Sequence, residues 1–206
     1  DNALGVMGIL ELAKVMSRYK EKFKRTIRFL ASGVEEFGTY GTIAYVQKHE
    51  NELSKIDVML NADGFARWGP ATLDVAYPKE LYRYLRNVAR EKDIPVPIRY
   101  SGRAGADAEA FWEAGVPCFS MSGMPTSEQA TMGRGWDHTA ADGVDKMDKR
   151  RIRTAEMKLA QLVLQMANED KEIAPHMSRR QMEEHIQQMT DAIYACRGSC
   201  IGFRYP

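Results

Sequence analysis

An excess of charge of either sign is what this 206-residue chain most plainly lacks: 29 lysines and arginines face 28 aspartates and glutamates, a formal net charge of +1. So even a balance gives no electrostatic case for a nucleic-acid or membrane-surface partner. The one basic cluster, Lys149, Arg150, Arg151 and Arg153, opens a helical pattern and reads as a solvated helix face. No stretch approaches the roughly 18 apolar residues of a membrane span, and there is no signal-peptide pattern. Cysteine is scarce, and three residues cannot all pair. Cys118 lies in an apolar, strand-like run where a buried free thiol is ordinary. Cys196 and Cys200 read as two free or loosely paired thiols, with a small disulfide loop or a bound metal as alternatives. Cysteine usage therefore leaves the compartment undecided. No internal repeat is visible.

What is present is enough apolar material, 44% of residues, to bury the core of one α/β domain. Three-and-four spacing of Leu4, Met7, Ile9, Leu10, Leu12, Ala13, Val15 and Met16 predicts a helix over residues 2–20, with Asp1 as its N-cap. Strands are predicted over 26–31, 56–61, 72–77, 96–100 and 117–121. Helices are predicted over 39–47, from Pro78 to about 91, over 107–113, and over 148–168 with Asp148 as cap. A polar, glycine-rich loop over 122–135 is long enough to form a site wall. A linker near Pro175 leads to a helix over 178–195 and then an irregular end. Alternation of strands and helices predicts a three-layer α/β/α sandwich around a mixed, mostly parallel sheet. The domain spans residues 1–170, and 171–206 form a helical tail of unassigned role.

The chemistry concentrates at Thr26–Tyr40, where an apolar run stops at Gly33 and Glu35 and Glu36 follow. Strand ends in an α/β sheet are where ligands collect. Two adjacent carboxylates repel there unless a cation lies beside them or they take up protons, and a divalent metal is the natural candidate. Asp1, Asp63 and His138 fall at comparable strand ends or loop starts. Taken singly, they read as an N-cap, a turn residue before Gly64 and an ordinary loop histidine. Asn61 and Asp142 each have two readings: as supports that orient Asp63 and hold the loop of His138, since metal ligands need outer hydrogen bonds, or as ordinary turn or cap residues.

Five segments, DNALGVMGILELAKV, KRTIRFLASGVEEFGTYGTIAYV, LNADG, FWEAGVPCFSMSG and DHTAADGVDKMD, follow one another between Asp1 and about Asn168. In this order they resemble the co-catalytic zinc exopeptidases, a family that includes bacterial leucyl aminopeptidase, glutamate carboxypeptidases and, as a relative, glutaminyl cyclases. The resemblance implies that Asp1 bridges two metal ions, that Glu36 and His138 complete the shell of one, and that Asp63 binds the other. It implies that Glu35 is the general base taking a proton from the attacking water. Asp107 and Trp112 fall in the segment that lines the family's pocket. Two zinc ions are expected in the complete protein, with manganese or cobalt as alternatives. Arg103 and Arg134 read as solvated loop charges.

Three departures from the family pattern stand out. The H-x-D ligand segment expected upstream is absent, and His49, His176 and His185 fall on helix surfaces or in the tail. The first strands of the family's sheet are absent too, so the chain reads as the C-terminal part of a longer protein with an unpaired apolar edge. Asp137 replaces the family's tyrosine before the ligand histidine, and the neighbouring Trp136 offers one indole N–H. The leading functional expectation is a metalloexopeptidase, an aminopeptidase acting on peptides. The alternatives are a non-catalytic assembly module that binds a protein partner, and a carboxypeptidase or cyclase relative. An exposed edge of this kind is a route to a homo-oligomer, so a size measurement separates the assembly-module reading from the peptidase. Relatives lean towards secretion or the periplasm, and the sequence assigns no compartment.

Overall fold

The computed structural model describes residues 2–65, 69–123 and 138–200, with the side chains of residues 194–200 left out. Four strands, β1 (Met59–Asn61), β2 (Ala71–Ala76), β3 (Ile98–Gly102) and β4 (Cys118–Gly123), make one sheet among the described residues in the order β1-β4-β2-β3. β1 runs parallel to β4 and β2 parallel to β3, while β2 and β4 are antiparallel. The inner strands are the most apolar because both their faces are covered. In β2, Ala71, Leu73 and Val75 enter one core with Phe119 and Met121 of β4. Ala76 and Cys118, on the opposite face by the two-residue period of a strand, enter a second core.

Helices α1 (Ala3–Ser17), α3 (Lys79–Glu91) and α5 (Lys149–Ala167) cover the first face. They contribute Leu12, Met16, Leu81, Leu85, Leu159 and Leu162 to its core. The second face is covered by α4 (Glu109–Glu113), which supplies Phe111 and Trp112, and by α2 (Tyr40–Lys48), whose Tyr45 and Val46 pack against it. Asp148 caps α5 as its sequence position predicts, its carboxylate accepting from the N–H of Arg150 at 2.9 Å and Arg151 at 3.3 Å. The layers are thus the predicted α/β/α sandwich around a mixed, mostly parallel sheet. Cys118 is a buried free thiol whose Sγ donates to Val116 O, and burial pushes its ionisation well above the usual range.

The C-terminal segment packs on the second face. Met177 and Met182 are buried there, and Met177 N–H donates to Gly115 O at 2.9 Å. His176 Nε2 lies 2.9 Å from Ile56 O, and His185 Nε2 lies 2.7 Å from Gly102 O with its ring stacked on Tyr77. Helix α6 runs through Arg179–Cys200, so the irregular end expected after residue 195 is helical to Cys200. The side chains of Cys196 and Cys200 lie outside the described residues.

Other local expectations are corrected. Asn2, not Asp1, is the N-cap of α1, its Oδ1 accepting from Gly5 N–H; Asp1 lies outside the described residues. The helix stops at Ser17 rather than 20. Residues 26–31 form no strand and have no strand partner among the described residues. Their start is tied down where the N–H groups of Lys24 and Arg25 both donate to Ala167 O. An apolar run sets a residue's preference for extended backbone, but a strand exists only when a neighbour supplies its hydrogen bonds. The free edge of β1 faces this segment across a cavity of about 750 Å³ lined by residues 25–36 and 55–63, with α1 and the end of α5 contributing on the first-core side. Among the described residues β1 has a strand neighbour on one side alone, β4.

Leu159 is 1% exposed and Met157, on the same helix, 61%. Replacing Leu159 by Ala is expected to cost about 2–5 kcal/mol of unfolding free energy. Met157→Ala is expected to stay within about 0.5 kcal/mol, both measured by urea unfolding.

Candidate metal and acid–base site

Glu35 and Glu36 sit in the turn that leads from segment 26–33 into α2. The N–H groups of Gly38 and Thr39 donate to Glu35 O at 2.9 and 2.8 Å, and Gly41 N–H donates to Gly33 O at 3.1 Å. The two stems cross so closely that a Cβ on Gly41 would lie 2.4 Å from Gly33 O, which only glycine permits. Val34 and Thr39, both β-branched, hold φ of 62° and 55°. Such residues avoid the left-handed region, so this turn carries strain that the surrounding structure must hold.

The second component is the end of β1. Asn61 is the last strand residue and is buried, and Asp63 follows two residues later beside the same cavity. The turn they share is fastened to the start of α1 by Asn2. Its Nδ2 donates to Ala62 O at 3.0 Å, and its Oδ1 accepts from Gly64 N–H at 3.3 Å as well as from Gly5 N–H. Gly5 makes the approach feasible, since a Cβ there would fall 2.0 Å from Ala62 O. Asn2 was missed by sequence reasoning, which took Asp1 for the cap; asparagine's equal preference for that position was the available signal.

The third component is His138, held at φ 59°, whose Nε2 lies 2.6 Å from Glu36 Oε1. The structure therefore brings together two of the residues expected to share one ion. Asp142 lies in the turn that follows, its N–H donating to Thr139 O at 3.1 Å, in keeping with a place near the His138 loop. Asp107 is on the cavity wall, where its Oδ2 accepts from Ser32 Oγ at 2.6 Å and its Oδ1 lies 3.2 Å from Thr42 Oγ1. Trp112 is not brought to the cavity: it is 2% exposed in the second core, with Nε1 donating to Tyr77 O at 3.1 Å. Arg103 is ion-paired with Glu109. Arg134, Trp136 and Asp137 lie outside the described residues. Ser32 and Thr42 carried no sequence signal, because small hydroxyl residues are common in any turn.

Burial raises the Glu35 carboxyl above its ordinary value of 4.5, and the charges of Asp63, Glu36 and Asp107 raise it further, while His138 opposes them. Like charges converge on this carboxylate, and a bound dication would reverse that effect. A carboxylate and an imidazole in contact, with a further carboxylate near, are the donor types zinc takes. Among the described residues no group of three or more His, Cys, Asp and Glu is placed to hold a metal ion, and Asp1 is not among them. The residues present therefore fit part of a zinc shell.

A carboxyl that titrates higher when folded costs no stability below its unfolded value near 4.5. The cost appears as pH rises from there through the raised folded value, and is constant above it. In chelator-treated protein, Glu35→Gln should therefore raise the urea midpoint at pH 7. The gain should disappear at about pH 4, below the onset of that window.

The sequence model of Peptidase family M28 matches residues 1–163. The chain is similar to aminopeptidase YwaD of Bacillus subtilis (strain 168), 27% identical over 202 residues that cover 94% of this chain and 42% of that protein. It is also similar to leupeptin-inactivating enzyme 1 of Streptomyces exfoliatus, 26% identical over 148 residues, 71% of this chain and 34% of that one. Among solved structures, an aminopeptidase from Aneurinibacillus sp. strain AM-1 matches with a TM-score of 0.65 and 25% identity over 86% of this chain and 42% of the other. BSAP, a zinc aminopeptidase from Bacillus subtilis, matches in fold with a TM-score of 0.67 and 22% identity over 87% of this chain and 45% of that one. The chain spans less than half the length of these relatives. With a family model covering most of its length and the same α/β/α layering in its relatives, the chain belongs to peptidase family M28.

Proposed function

We propose that this protein is a zinc-dependent aminopeptidase that removes residues from the N-termini of peptides. The observation that carries the reading is the 2.6 Å contact between Glu36 and His138, brought together from distant parts of the chain beside Glu35. Asp1, Glu36, Asp63 and His138 are the ligands in this reading, with Asn61 and Asp142 supporting Asp63 and the His138 loop. Zinc, when bound, supplies positive charge that polarises the scissile carbonyl and eases deprotonation of water. Glu35 accepts the proton from the attacking water and returns it to the leaving amine. Its raised pKa suits that exchange, since a base is most useful when its affinity for protons is not too low. Asp107 lies on the wall of the same cavity.

A second reading is favoured by a different observation: segment 26–31 and the edge of β1, neither with a strand partner there among the described residues, line one cavity. In this reading the 206 residues are an assembly module that completes its sheet with a partner strand or a second copy of itself. Size-exclusion with light scattering separates the two: a monomer at micromolar concentration speaks against self-association through that edge.

Equilibrium dialysis with zinc tests the first reading. The chain should bind about one zinc or more, and Glu36→Ala and His138→Ala should each lose it. Glu35→Gln should keep the metal while hydrolysis of aminoacyl p-nitroanilide falls by about 10²–10⁴. Failure of the unaltered chain to bind zinc would reject the reading for this length of polypeptide. Cleavage of N-blocked peptides from their C-terminus would replace aminopeptidase by carboxypeptidase.

A further inference from the structure

The turn that carries Glu35 and Glu36 begins at Ser32 and enters α2 at Thr42, and one carboxylate touches both places. Asp107 Oδ2 accepts the Ser32 hydroxyl at 2.6 Å, and Asp107 Oδ1 lies 3.2 Å from Thr42 Oγ1. Thr42 is fully buried, so no water replaces a lost partner there, and its hydroxyl hydrogen is shared between Thr39 O at 3.0 Å and Asp107. Between these two anchors the turn is held by backbone bonds to Glu35 O and Gly33 O, and two β-branched residues in it have left-handed φ. A strained turn with few side-chain ties relaxes unless something pins its stems. Asp107 is itself aimed by a strained neighbour, since Ala106 holds φ of 50° although it is neither glycine nor asparagine.

We infer that Asp107 is a positioning residue, a clamp that joins both stems of the turn and thereby fixes where Glu35 and Glu36 stand. Its importance for metal binding rests on the reading of Glu36 as a ligand proposed above; its hold on the turn does not. Both carboxylate oxygens are occupied by hydroxyls of the chain, which is a different role from the substrate contact expected from the sequence. The clamp needs two hydrogen-bonding atoms in this geometry, not charge. An asparagine in its place accepts from one hydroxyl through Oδ1 and donates to the other through Nδ2, which frees the Thr42 hydrogen for Thr39 O.

Amide hydrogen exchange on the zinc-free 206-residue chain tests the clamp, and zinc titration tests what it serves. In Asp107→Ala, exchange at Gly38, Thr39 and Gly41 is expected to quicken by about tenfold or more while β2 and α3 amides keep their protection. In Asp107→Asn those three amides should stay within about twofold of the unaltered chain. Zinc affinity should fall by about 10–100-fold in the alanine variant and recover in the asparagine variant. Unchanged exchange in the turn, or acceleration spread equally through β2 and α3, overturns the inference. So does faster local exchange with zinc affinity intact, because the clamp would then not position a ligand. If the unaltered chain binds no zinc, the proposed function fails, and the exchange comparison alone still decides whether Asp107 holds the turn. Should Asp107→Ala not fold, Ser32→Ala removes one exposed hydroxyl from the same carboxylate. A smaller acceleration confined to the turn is expected there, and none at all overturns the inference.

Discussion

The backbone pairing of β4 on both its edges is the constraint on which the rest of this structure hangs. β4 joins β1 in parallel and β2 in antiparallel register, and β2 in turn carries β3. Because its residues are buried in succession, from Cys118 to Met121 with only Ser120 half-exposed, no water is available to satisfy an unmade bond. Loss of that pairing would detach β1, and with it Asn61 and the turn bearing Asp63. Sheet pairing thus reaches the site through one short strand and one asparagine, Asn2, which bolts the same turn to α1.

Around that frame the site gathers like charges. Burial and the charges of Asp63, Glu36 and Asp107 act together on Glu35, with His138 as the opposing group, and Glu35 holds its proton more tightly. Such crowding works against the folded state and has no packing benefit of its own. It is the kind of local conflict that marks functional places in otherwise consistent structures. The left-handed φ at Val34, Thr39, Ala106 and His138 cluster in the same neighbourhood, so backbone strain and electrostatic strain coincide. The C-terminal segment contributes on the other side of the sheet, where Met177 and Met182 complete a core that α2 and α4 leave open.

Layer order and the long helices were legible in the sequence because their signal is periodic and local. Asp148 as a cap and the buried run at Cys118 were legible for the same reason. Thr26–Ala31 shows the limit: its apolar pattern favours extended backbone, but a strand is a relation between two segments, and no partner strand is found for it among the described residues. The site followed the same division. Adjacent glutamates after a glycine, and a histidine in a polar loop, could be singled out one residue at a time. That Asn2 fastens Ala62, that Asp107 takes two hydroxyls, and that Trp112 turns into the core could not.

By itself the sequence determined the fold class, the family and the identity of the acidic and imidazole residues, because residue types, periodicities and motif order are properties of a single chain read in line. The tertiary structure alone decided which of those residues meet. Contact between Glu36 and His138, burial around Glu35 and the cavity beside β1 depend on the close packing of segments remote in sequence, and no local pattern encodes a distance between them.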